Sequence, residues 1–229
     1  MSIEPTPAYQ AATSSVAVFD GDDRTLLTVT GRSPTQMLNG VLTGSMPPVP
    51  AEAEPGVFQG RATYHTVLTP KGKIISDLYA TLLGADDGPG YLLDVPAAGR
   101  EALLGHFRKF LPPRFAKVTE VSARRGGEGS SEDAVDPGGE ARETARAPRR
   151  ARLTVVGPEA PALLSKVALG LRVDAEWLEE AEEGAWRCVG DPVGSLLVVR
   201  TGDVWPPAYH VLGPADAVEA LRKRLLDQG

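Results

Sequence analysis

Three stretches of this chain repeat one plan, and that plan restricts the folds open to it. TLLTVTGRSPTQMLNGVL, RLTVVGPEAPALLSKVAL and YHVLGPADAVEALRKRLL each run as a strand, then Gly31, Gly157 or Gly213, then an amphipathic helix with a cap residue or proline at its start. Glycine permits a sharp strand-to-helix turn, and proline in the first helical turn lacks only an N–H that would have no partner there. A looser fourth copy, YLLDVPAAGREALLGHF, lacks the glycine. Strand–helix units separated by strand-only segments predict an α+β fold, with mostly antiparallel sheets and helices on one face. The spacing is too irregular for a solenoid.

The stretch from Gly60 to Leu83, GRATYHTVLTPKGKIISDLYATLL, is the clearest strand-only segment. β-Branched and aromatic residues fill two arms around Pro70-Lys71-Gly72, where Pro presets φ and Gly can take a positive φ. The hairpin carries Lys71 and Lys73 at its tip and Asp77 on its outgoing arm. Strict alternation puts Asp77 on one face with Ile75, Tyr79 and Leu83.

Elsewhere, residues 1–10 read as a flexible tail, and Ser15 to Phe19 and Thr25 to Thr30 as strands. A helix follows from Ser33, as N-cap, and Pro34 to about Leu42, and Met46 to Gly56 reads as irregular. Tyr91 to Val95 reads as a strand, Ala98 to Leu111 as a helix stopped by Pro112-Pro113, and Phe115 to Val121 as an edge strand. Ala123 to Arg150 has Val135 as its single large aliphatic residue and reads as a disordered insertion. Strands over Arg152–Val156, Ser195–Arg200 and Tyr209–Leu212, an acidic surface segment from Trp177 to Glu183, and helices after Gly157 and Gly213 complete the reading.

Charge and composition remove several function classes. The 24 basic residues are outnumbered by 30 acidic ones in 229, which argues against nucleic-acid binding by bulk charge. No apolar run reaches the roughly 20 residues that span a bilayer, and the start MSIEPTPAYQ has no secretory character. A cytoplasmic protein is expected. One cysteine, Cys188, forms no internal disulfide. Beside Trp186 in a strand, it reads as buried and structural. His65, His106 and His210 lie far apart with no HxxH or CxxC spacing, so no metal site is expected. No phosphate loop or GxSxG elbow is present. Asp77, a carboxylate on a largely apolar face, is either partnered by a neighbouring cation or poised in a cleft. Arg108, Lys109, Arg114 and Lys117 form a basic cluster that reads as a solvated face, or as an attractor for a polyanionic ligand tail.

LTPKGKIISDLYATLL resembles the hairpin of the YgfZ-type folate-binding proteins, relatives of the glycine-cleavage T-protein (aminomethyltransferase). LLTVTGRSPTQMLNGVLTGSM looks like that family's opening strand–Gly–helix, and LTVVGPEAPALL like its second Gly-Pro unit. RTGDVWPPAYHVLGPADAVEALRKRLL is similar to the T-protein RTGYTGEdGfE region, keeping Arg200, Thr201 and Gly202. Pro206 stands where the folate-anchoring glutamate is expected, and the sequence stops at Gly229, before the family's K-G-C-[FY]-x-G-Q-E signature and C-terminal barrel.

The resemblance implies the N-terminal folate-binding fold of the T-protein and YgfZ, with two subdomains: 11–50 plus 151–229, and 56–122. It implies tetrahydrofolate as ligand, with Asp77 facing its polar head, Lys71 and Arg200 near the rim, and Tyr64 in the same set. The missing glutamate points to a YgfZ-like accessory protein, tied to iron–sulfur protein maturation and without turnover. Two alternatives stand beside it. One is a tetrahydrofolate-dependent one-carbon transferase in which Asp77 orients the reactive nitrogen. The other is an interaction module completed by a partner chain that supplies the barrel.

Overall fold

The structure, a computed structural model, describes residues 5–84, 90–123, 149–202 and 204–228. Two antiparallel sheets stack with helices outside them. The smaller sheet holds β2 (Arg24–Thr30), β5 (Thr63–Leu68), β6 (Ile74–Leu82), β7 (Tyr91–Pro96) and β8 (Lys117–Glu120), in the order β5-β6-β7-β2-β8. The larger holds β1 (Ala17–Asp20), β3 (Ala51–Glu54), β4 (Val57–Arg61), β9 (Arg150–Val156), β10 (Ala185–Val189), β11 (Leu197–Thr201) and β12 (Ala208–Pro214), in the order β1-β9-β12-β11-β10-β4-β3. The α+β reading with mostly antiparallel sheets therefore holds.

Alternation along the strands builds three apolar layers. Leu27, Val29, Leu78 and Leu93 face outward from the smaller sheet and pack on Leu38 of α2 (Pro34–Asn39) and on Leu103 and Phe107 of α3 (Arg100–Phe110). In the larger sheet Leu153, Val155, Tyr209 and Val211 pack on Leu164 of α4 (Ala160–Val167), Leu178 of α5 (Ala175–Glu180), and Leu221 and Leu225 of α6 (Ala215–Gln228). Between the sheets Leu26, Leu83, Leu92 and Val121 meet Trp186, Cys188, Leu197, Val199 and Leu212. Each sheet thus has a helix side and a side turned toward the other sheet.

The repeat read from the sequence is a real duplication of fold. With β3, β4 and α5 set aside as additions, each half runs strand–helix, two strands, strand–helix, and its strands lie in the order first, fourth, third, second: β2-β7-β6-β5 and β9-β12-β11-β10. Gly31 and Gly157 are equivalent, with φ of 140° and 136°. Each lies against a backbone carbonyl just ahead of its sheet's edge strand, that of Phe115 or of Ser15. Two residues later the N–H groups of Ser33 and Glu159 donate to those same carbonyls, each at 3.1 Å. The looser fourth copy is the partner of the third: Ala97 N–H donates to Asp23 O as Ala215 N–H donates to Arg149 O.

Several expectations are corrected. Sheet membership cuts across the division into 11–50 plus 151–229 and 56–122. β2 pairs with β7 along six residues and α2 packs into that sheet's core, whereas β3 and β4 extend the far edge of the larger sheet. Within the tail expected at 1–10, Pro7 begins a helix, α1 (Pro7–Ser14), whose cap is Thr6 accepting from Tyr9 N–H. Ala51–Glu54 is a strand inside the stretch expected to be irregular. Ser33 occupies the N-cap position but makes no side-chain cap bond; its N–H donates to the Phe115 carbonyl, and Pro34 opens the helix. Leu178 anchors the acidic segment as a fully buried side chain. Of the insertion expected at 123–150, residues 124–148 lie outside the described residues, and Arg150, at its end, is a buried strand residue.

His65 ties the segment after α2 to β5: its Nδ1 bonds the Thr43 carbonyl and its Nε2 lies 2.7 Å from Thr63 Oγ1. Burial lowers its pKa, outweighing the opposite pull of the Thr43 bond. The unfolded chain then takes up a proton near pH 6.5 that the folded chain refuses, so stability falls as pH drops below that value. The thermal midpoint is expected to fall on acidification from pH 7 to pH 5, and His65→Gln to flatten that slope. An identical slope in the variant would refute the assignment.

Candidate functional site

The hairpin builds the first part of the site. In β6, Ser76, Leu78 and Ala80 turn to the helix side, leaving Asp77, Tyr79 and Thr81 on the face toward the larger sheet. Register places Tyr64 of β5 opposite Tyr79. Their rings meet edge to face at 5.3 Å, and the Tyr64 hydroxyl donates to Asp77 Oδ2 at 3.3 Å. Beside them opens a pocket of about 310 Å³ lined by Ser45, Arg61, Tyr64, Tyr79 and Glu183.

Arg200 belongs to the opposite sheet. It donates to the carbonyl of Thr201 and, at 3.1 Å, to that of Ala208, and it lies 5.5 Å over the Tyr209 ring. These bonds brace β11 against β12. With Tyr79, Asp94 and His210 it lines a cavity of only about 20 Å³ in the middle of the cleft. Lys71 is exposed at the hairpin tip and lines neither cavity. The four residues expected to form one ligand set are therefore not brought together: Tyr64 and Asp77 touch, Arg200 braces the far sheet, and Lys71 stands away.

The sequence reading missed the polar centre of the cleft. Asp94, 4% exposed, accepts from Arg24 Nε at 2.8 Å, and Arg152 Nε lies 3.5 Å from its other oxygen. Arg24 also donates to the Asp94 carbonyl at 2.9 Å. An Arg152 guanidinium nitrogen lies 2.9 Å from His210 Nε2, and Thr154 Oγ1 lies 3.1 Å from His210 Nδ1. Arg24 and Asp94 come from the smaller sheet, the other three from the larger. The available signal was one charge in the otherwise apolar strand YLLDV and one histidine in YHVL.

Beyond His210 the cleft widens into a pocket of about 810 Å³. Arg24, Arg152, Thr154 and His210 form its polar floor. Tyr9, Phe19, Val204 and Trp205 are all exposed large apolar side chains that line it, Trp205 at 86%. Asp20, the last residue of β1, and Asp22 and Asp23, on the turn that follows, also line it. Shared residues put the three cavities in a line. His210 lines both the large pocket and the narrow one, and Tyr79 lines both the narrow one and the hairpin pocket.

The remaining candidates line none of these cavities. The basic cluster sits at the end of α3 and the start of β8, lines none of these pockets, and sets Lys109 and Arg114 over Phe110 and Phe115. Cys188 is fully buried, and burial followed by the charge of Asp191 pushes its thiol up to about 11, so it carries almost no thiolate at neutral pH. Among the described residues no group of His, Cys, Asp or Glu could hold a metal ion, and no helix is long and apolar enough to cross a membrane.

No family model matches the chain. It is 26% identical over 213 residues to an aminomethyltransferase of Stenotrophomonas maltophilia strain K279a, which covers 93% of this chain and 47% of that protein. An aminomethyltransferase of strain R551-3 is likewise 26% identical over 215 residues, with the same coverage. Among solved structures the glycine-cleavage aminomethyltransferase T of Bartonella henselae superposes with a TM-score of 0.64 at 17% identity, covering 95% of this chain and 47% of that one. The chain spans about half the length of the curated relatives it matches. Its fold is that of the T-protein, and its similarity to the aminomethyltransferases runs across that partial length.

Proposed function

We propose that this chain binds a folate-type molecule in the large pocket of the intersheet cleft and acts as an accessory protein rather than through turnover. The pocket of about 810 Å³ carries the reading. Its volume lies within the roughly 300–1,000 Å³ of small-molecule sites, its walls are aromatic, and a few fixed polar groups converge on its floor. Aromatic side chains suit a planar heterocycle, and Thr154, His210 and the Arg152 guanidinium offer donors and acceptors to its edges.

Two observations favour binding without turnover. The neck of about 20 Å³ separates this pocket from Asp77 and is too small for a ring, so a ligand seated on the His210 side does not reach that carboxylate. Pro206 stands where the resemblance expects a glutamate to hold the pterin. A role in iron–sulfur protein maturation follows from the YgfZ-like side of the resemblance.

Calorimetry and thermal shift with tetrahydrofolate and folinate test this reading. Binding is expected in the wild type, unchanged in Asp77→Ala, and weakened about tenfold or more in Trp205→Ala and Phe19→Ala, the loss of a stacking wall. No heat and no shift in the wild type would remove it. One-carbon transfer that disappears in Asp77→Ala would install the transferase reading instead.

A further inference from the structure

Given a folate-type ring in the large pocket, as proposed above, the charges around it select within that ligand class. Asp94 stands between the two arginines of the floor, 2.8 Å from Arg24 and 3.5 Å from Arg152, so much of their positive charge is compensated from behind. The end of β1 and the turn that follows, Asp20-Gly21-Asp22-Asp23, bring three carboxylates to the lining. Arg222 Nε, on α6, lies 2.9 Å from Asp20 and answers one of them. The cluster that could hold a polyanion, Arg108, Lys109, Arg114 and Lys117, lies on α3 and toward β8 and contributes nothing to this pocket.

Folates carry one or more glutamate units, and every added unit brings a further carboxylate, whereas a pterin without the tail brings none. We infer that this pocket takes a tail-less pterin, a neutral planar amino-heterocycle, and discriminates against oligoglutamyl folates by repulsion from Asp22 and Asp23. The aromatic walls and the Thr154–His210 edge bind what the two ligands share. The acidic turn acts on what distinguishes them. Such repulsion between partly exposed charges is screened by salt, which gives the inference a second signature besides affinity.

Competitive calorimetry tests it with three probes: methyltetrahydropterin, tetrahydrofolate with one glutamate, and tetrahydrofolate with five. At low salt the pentaglutamate is expected to bind about tenfold more weakly than the pterin, with the monoglutamate between them. High salt is expected to close most of that gap, and so is the double variant Asp22→Asn/Asp23→Asn, read as the ratio of pterin to pentaglutamate affinity measured within that same variant. A pentaglutamate that binds as tightly as the pterin at low salt, or a gap that survives both salt and the double variant, overturns the inference. Failure of all three probes to bind is a different result and removes the folate-type reading of the pocket itself.

Discussion

Asp94→Asn is expected to destabilise the fold by about 3–5 kcal/mol. The carboxylate is 4% exposed and lies between Arg24 and Arg152, which belong to different sheets. Taking one charge away leaves two half-buried guanidinium groups on the pocket floor without the carboxylate they share. Asparagine preserves the shape but offers them one carbonyl oxygen in place of two charged ones. Denaturant unfolding at neutral pH measures the cost. The double variant Asp94→Leu/Arg24→Met is expected to regain part of it, since removing two members of a buried ion group costs less than stranding one. A loss below about 1 kcal/mol would mean that the two sheets are held together by their apolar contacts alone.

Gly31→Ala and Gly157→Ala are expected to cost about 2–5 kcal/mol each, and to cost nearly the same. Both glycines have φ near +140°, a region that L side chains rarely adopt. A Cβ would stand 2.4 Å from Phe115 O at Gly31 and 2.2 Å from Ser15 O at Gly157, atoms that cannot swing aside like a side chain. Gly72 is the internal control. Its φ is +76° at the hairpin tip with nothing within 4 Å of an added Cβ, so Gly72→Ala is expected to cost only about 1 kcal/mol. Chemical denaturation of the three variants side by side settles the comparison. Equal costs at all three positions would show that backbone conformation alone matters and that the approach to the edge-strand carbonyl does not.

The same glycines show how far the sequence could be read. Gly31, Gly157 and Gly213 looked alike, and the copies they mark do form a duplicated fold. Gly213, however, has no positive φ. It leaves room for Leu196 Cδ2, which would lie 2.7 Å from an added Cβ. A glycine required for its φ and one required for close packing look identical in a sequence, because both are positions where a side chain is missing. Asp77 is a comparable instance. Alternation put it correctly on a face with Tyr79, but its partner proved to be the Tyr64 hydroxyl, because that contact depends on β5–β6 register.

What the sequence determined by itself was local: most of the strands and helices, the hairpin turn, the α+β class and the duplicated unit, all of which follow from side-chain periodicity and from backbone limits at Gly and Pro. Only the tertiary structure decided which strands share a sheet, since β2 joins β7 across more than sixty residues of chain and β4 crosses to the larger sheet. It also decided the pocket, whose floor draws Arg24, Arg152, Thr154 and His210 from three strands in two sheets. Contacts of that kind are fixed by how two layers of apolar side chains come to rest on each other, and no window along the chain contains both layers.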